Sequence, residues 1–286
     1  MTLGIVGCVV VCVAALGTLS RVQAGAQTLA SPAFEVASIK PNPSRTGIRG
    51  HGFPGDRFEA RNVPVRDLIM VGFGEPGRLV PESLMSGGPS WIDTDRFDVT
   101  AKVGRESQNS VAEKQMMLRR LLAERFKLVV HTQRTNSPIY TLVLASANGE
   151  VGRQLRRSDS DCDNGDAGAV PPPVPRGQER RCILYIVPSG TLIARGQTMS
   201  AFAYALTRTV GRVVMDHTGL SGAFDADAVF NPEGLPGWAS LPPGAANRDA
   251  PSFFGALQEQ LGLKLESTKG PVDVLVIDHV DQPTPD

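Results

Sequence analysis

The residues best suited to proton transfer or metal binding near neutral pH are His51, His131, His217 and His279. None is close enough to another to form a local metal pair, and no HExxH occurs. His217 and His279 each follow an aspartate, Asp216 and Asp278. Neighbouring side chains on a strand point to opposite faces, so neither carboxylate reaches its own neighbour's ring. Asp216-His217-Thr218-Gly219 reads as a turn closing a strand, with Gly219 free to take positive φ. His217 is kept as a candidate ligand contact beside that turn.

Nucleophile and ion motifs are equally sparse. Gly87-Gly88-Pro89-Ser90-Trp91 comes nearest to a nucleophile elbow and fails the G-x-S-x-G pattern. The acidic stretch 159–166 resembles a calcium loop, but an EF-hand needs Gly at the sixth position and Glu at the twelfth, where this chain has Asn164 and Val170. It reads instead as a solvated loop facing nearby arginines. No P-loop or dinucleotide fingerprint occurs. The sequence therefore assigns no catalytic residue, no metal site and no cofactor. Phe53, Trp91 and Trp238 all lie in Gly- and Pro-rich stretches, where an exposed aromatic is costly without a partner or a pocket. Trp91 and Trp238 are the candidate binding residues, with packing back onto the core as the alternative.

Residues 3–19 are almost entirely apolar, and small residues suited to signal peptidase follow around Ala24 and Ala26. That order predicts a signal peptide over 1–26 and a periplasmic or secreted protein, membrane-attached only if the segment stays uncleaved. Its removal takes away Cys8 and Cys12 and leaves Cys162 and Cys182, which an exported chain pairs as a disulfide.

The 286 residues carry 29 basic and 29 acidic side chains, a balance that argues against nucleic acid as a partner. At 41% apolar the chain can bury a core, while 30 glycines and 22 prolines make it loop-rich. The predicted class is α+β. Residues 27–57 read as an entry strand and loop, 58–145 as a first structured repeat, 146–190 as a disulfide-closed Pro-rich loop, and 191–286 as a second repeat. Phe58-Glu59-Ala60-Arg61 corresponds to Leu192-Ile193-Ala194-Arg195, and Phe97-Asp98 to Phe224-Asp225. Helix starts are expected at Pro64 and Thr198, and again at Ser110, with Glu113 as a capping box, and Ser252. Each repeat reads strand-helix-strand-helix-strand-strand, a small sheet with helices packed on it. The last two strands are expected as hairpins turning at Asn136-Ser137-Pro138 and at Lys269-Gly270-Pro271.

Phe34-Glu35-Val36-Ala37-Ser38-Ile39-Lys40-Pro41-Asn42 is one signature, and Met199-Ser200 through Val213-Val214-Met215-Asp216-His217-Thr218-Gly219-Leu220-Ser221-Gly222 a second. Leu257-Gln258-Glu259-Gln260-Leu261-Gly262-Leu263-Lys264-Leu265 with Val276-Ile277-Asp278-His279-Val280 is a third. Together they resemble the soil-associated family of unknown function expanded in Acidobacteria of the Solibacter type. The resemblance implies an exported domain. Some relatives are fused to membrane metallopeptidase sensors, which implies sensing or binding; it carries no catalytic residues. The function expected is a non-enzymatic binding or sensing module in the cell envelope, its partner an envelope protein or small ligand. The alternative is a periplasmic hydrolase whose site assembles between the repeats.

Overall fold

The computed structural model describes residues 32–44, 47, 49–104, 110–160, 162, 182–187, 189–236 and 248–283. In chain order the first half contains β1 (Val36–Pro41), β2 (Gly50–Gly52), β3 (Arg57–Pro64), α1 (Val65–Phe73), β4 (Met85–Gly87), α2 (Trp91–Thr94), β5 (Arg96–Lys102), α3 (Val111–Arg125) and β6 (Val129–Leu144). The second half contains β7 (Leu155–Arg157), β8 (Ile183–Val187), β9 (Thr191–Thr198), α4 (Met199–Val210), β10 (Val214–Asp216), β11 (Ala223–Val229), α5 (Phe253–Leu261) and β12 (Leu263–His279). The class is α+β, as the sequence predicts.

The helices start where the sequence places their caps. Ser110 and Glu113 form a reciprocal capping box on α3, Thr198 Oγ1 accepts the Ala201 N–H at 3.2 Å, and Ser252 Oγ accepts the Gly255 N–H at 3.1 Å. Each satisfies a backbone donor that a helix start leaves open. The end of α1 is closed from outside. Gln115 on α3 donates to the carbonyls of Val71 and Glu75, and Arg119 to that of Gly72.

Two outer sheets have the same plan. One runs β1-β5-β3-β2 and the other β7-β11-β9-β8, with antiparallel neighbours throughout. Both carry a bulge at the same place. On β3 it lies between Ala60 and Val63, where Asn62 has φ 53; on β9 it lies between Ala194 and Gln197, where Gly196 has φ 66. The Asn62 and Gly196 amides donate to Asp98 and Asp225 respectively, each at 2.8 Å. The paired strings Ala-Arg and Phe-Asp are therefore the two sides of a bulge. It needs a residue tolerant of the left-handed region and a carboxylate for its stranded N–H.

A third, central sheet runs β10-β6-β12-β4. Here the structure departs from the expected hairpins: β6 and β12 are single strands of 16 and 17 residues that pair with each other antiparallel along their whole length. Pro138 lies opposite Lys269, and Pro271 opposite Asn136. Both pairs are of the same class as Tyr140 with Ser267, and the Tyr140 N–H points away from β12 to the Val213 carbonyl at 2.8 Å. A proline at such a position lacks an N–H that the ladder does not use, so it does not break the strand. β7 and β8 likewise form strands inside the stretch read as a loop.

Short strands cross between the halves. β4 of the first half pairs in parallel with β12, and β10 of the second with β6. The cores follow the same exchange. The first, built around Phe58, Leu68, Leu118 and Phe126, takes in Leu275, Ile277 and Val280 of the second half. The second, around Phe202, Phe230 and Leu257, takes in Leu142 of the first. Each long strand thus starts beneath its own core and ends beneath the other.

Candidate functional site

Residues 74–81, between α1 and β4, form a wall with a cleft on either side. Gly74 at its root approaches the Arg78 carbonyl so closely that a Cβ would stand 1.9 Å from it, so the loop folds on itself only with glycine there. Its tip is held by the second half: Tyr204 on α4 accepts the Leu79 N–H at 2.7 Å and donates to the Leu79 carbonyl at 2.9 Å. Burial raises the Tyr204 pKa, which keeps the phenol protonated and able to donate. The Arg78 guanidinium stacks over the same ring, its carbon 5.3 Å from the centroid.

The first cleft, about 690 Å³, opens at the β2 edge of the first outer sheet. Phe53, Val71, Leu79 and Val111 give it apolar surface, and His51, Glu59, Arg61, Arg78 and Gln115 its polar groups. Phe53 packs on the buried Phe58, ring centroids 5.0 Å apart. The second cleft, about 810 Å³, lies between the wall, α4, β10 and the central sheet; Ser200, Tyr204, Thr207, Asp216 and Asp273 are among its polar groups. Both volumes suit a small organic ligand.

His51 feels two charged side chains, Asp67 and Arg208. Burial lowers the His51 pKa, opposed by the Asp67 carboxylate and assisted by Arg208. Burial raises the Asp67 pKa, opposed by His51, Arg96 and Arg49 and reinforced by Glu82. His51 keeps much of its surface open, yet enough protein crowds it to disfavour the imidazolium. A neutral imidazole of this kind can accept or donate a hydrogen bond at the cleft.

The residues singled out from sequence sit elsewhere. Trp91 opens α2 and is partly buried against the first core. It lines neither cleft. Trp238 lies outside the described residues. His217 is exposed beyond β10, its N–H donating to the Leu142 carbonyl at 2.9 Å. The adjoining Asp216, which lines the second cleft, accepts from the Thr218 amide and hydroxyl at 2.9 and 2.8 Å, so Asp-His-Thr-Gly is indeed a turn. Asp278 meets His131 across the central sheet at 2.8 Å, at the bulge where β12 steps past Ile277. Cys162 and Cys182 are bonded, Cα atoms 5.6 Å apart. Among the described residues no group of three potential metal ligands occurs, and no helix is long and apolar enough to cross a membrane.

The sequence names His51 among its histidines without singling it out, and gives no sign of Arg61 or Tyr204. The one local signal was Gly50-His51-Gly52, a histidine on an edge strand with no side chain on either flank.

Residues 40–280 match the model of a family described as a protein of unknown function (DUF3738), and the chain belongs to that family. No curated protein and no solved structure matches it.

Proposed function

For this member of the family, we propose a binding module that works outside the cytoplasm and takes a small ligand at the clefts flanking residues 74–81. The carrying observation is the wall itself: a first-half loop held at its backbone by a second-half tyrosine, with an open cleft on each side. Export is supported by the apolar N-terminal segment and by the Cys162–Cys182 pair, since disulfides persist in oxidising compartments. We propose further that the halves descend from one duplicated unit, supported by the shared sheet order and the shared bulge.

The test is a thermal-shift screen of the purified protein against a small-molecule library, followed by amide chemical-shift mapping of the hits. Hits should raise the midpoint and perturb Phe53, Leu79 and Tyr204. Perturbations confined to surfaces away from both clefts would overturn the assignment. A hydrolase is the second reading, favoured by one observation, the cleft imidazole of His51 held neutral beside Asp67. Turnover of ester or peptide probes that disappears in His51→Gln would select it.

A further inference from the structure

The two outer sheets serve as each other's control. Arg61 and Arg195 occupy the same place, one residue before the positive-φ position of the bulge. In the second half that arginine is fully engaged. Its guanidinium donates to Asp227 at 2.7 Å and to the Ala194 and Ala226 carbonyls at 2.8 and 3.2 Å. Cys162 lies over the same bulge, its N–H donating to the Gly196 carbonyl at 3.2 Å. In the first half the position matching Asp227 is Thr100: the register pairs Glu59 with Thr100 where it pairs Ile193 with Asp227. Among the described residues Arg61 makes no ion pair, and it lines the first cleft. The nearby Glu59 is paired with Arg57 at 3.4 Å.

The neighbouring strand differs in the same sense. Ile183 lies opposite Arg195 and Tyr185 opposite Ile193, whereas Gly50 lies opposite Arg61 and Gly52 opposite Glu59. A Cβ added at Gly50 would meet nothing within 4 Å, and one at Gly52 only the edge of Pro54. Side chains that stand on the strand opposite the arginine in one half are therefore missing in the other. Its carboxylate partner is missing too, and a cleft with an apolar floor of Phe53, Val71 and Leu79 stands beside it.

We propose that the first cleft recognises a small organic carboxylate, Arg61 binding the carboxylate where Asp227 binds Arg195, and the apolar floor taking the body of the ligand. A planar guanidinium matches a carboxylate with two parallel hydrogen bonds, which a neutral isostere cannot reproduce. Arg78, at the wall of the same cleft, adds positive potential but is already shared with Glu75 at 3.5 Å. This inference rests on the binding reading above and narrows it to one cleft and one ligand class.

The experiment is titration of the purified protein with benzoate, hexanoate, benzamide and inorganic phosphate, followed by calorimetry and by the amide signals of Gly50 and Gly52. Benzoate or hexanoate should bind and shift those amides, with benzamide and phosphate at least roughly tenfold weaker. Arg61→Gln should weaken carboxylate binding by a similar factor, and Arg195→Gln should leave it unchanged. Gly50→Ile, which restores the residue of the closed half, should abolish binding with the fold intact by circular dichroism. Equal binding of benzoate and benzamide at this cleft, indifferent to Arg61→Gln, would overturn the carboxylate assignment and leave the binding reading standing. Binding of no probe would overturn the assignment too. Only failure of the wider library at both clefts would remove the binding reading itself.

Discussion

His51 and Asp67 titrate in opposite senses, and the linkage gives each a sign. With the folded pKa of His51 below its ordinary 6.5, the unfolded chain holds more protons as pH drops through that window, so this residue costs stability on acidification. With the folded pKa of Asp67 above its ordinary 3.8, the folded chain holds the extra proton, so this residue costs stability as pH rises through its own window. Two outcomes follow for Asp67→Asn. Above the raised pKa the variant should be at least as stable as the parent, the difference closing as pH falls towards 3.8, by denaturant melts over a pH series. Its His51 should titrate lower than in the parent by NMR, because the carboxylate that favours the imidazolium is gone. An upward move of His51 would refute the electrostatic coupling.

At the scale of elements, the tip of the wall between the clefts is tied to the second half by one phenol, while Gln115 and the Val80–Met70 backbone bond hold its two ends from the first half. Tyr204→Phe removes the partner of both Leu79 backbone groups; Leu79 is half-buried beside two clefts that admit water, so the cost falls at the lower end, about 1 kcal/mol. Hydrogen exchange should quicken at Leu79 while the core of α3 stays protected; unchanged exchange there would show that the wall holds itself. The Cys162–Cys182 bond sets the other constraint, closing a loop of sequence separation 20 between β7 and β8. Replacing both with serine should cost roughly 3 kcal/mol in the chain-entropy account and lower the thermal midpoint. Caps were legible in the sequence because Ser110, Thr198 and Ser252 act on residues three positions away. The Ala-Arg and Phe-Asp matches were legible too, although only the pairing reveals them as bulge partners. β4, β7 and β10, three residues each, are too short to show a period. Pro138 and Pro271 looked like turn formers because the direction of a missing N–H depends on a partner strand more than a hundred residues away. The site was hidden for the same reason. Tyr204 acts on Leu79 and Arg61 stands out only against Arg195, whereas His217 and Trp91 stand out by residue type and by the turn and Gly/Pro residues beside them, which say nothing about what surrounds them in space.

At the scale of the whole molecule, neither half is self-sufficient. A first half cut off after residue 150 would keep β6 but lose β12, its partner along all 16 residues, and Leu275, Ile277 and Val280 from its core. A second half starting there would lose β6 and the burial of Leu142. Each buried aliphatic side chain contributes about 1.5–3 kcal/mol, so losing several approaches the whole stability of a domain, about 5–15 kcal/mol. Each fragment would also present a long unpaired strand edge, a template for aggregation. Fragments 27–150 and 151–286, purified under denaturant, should therefore refold poorly apart, with weak near-ultraviolet dichroism and no cooperative transition. Mixed in equal amounts before denaturant removal, they should recover a single complex with one cooperative melt, because the exchange of β4, β10 and the long strands rebuilds both cores together. A first-half fragment that melts cooperatively as a monomer would show that the exchanged strands are incidental. The first cleft, lined by first-half residues alone, would then stand without the tyrosine that in the intact chain holds its wall, whereas the second cleft would be lost with α4 and β10.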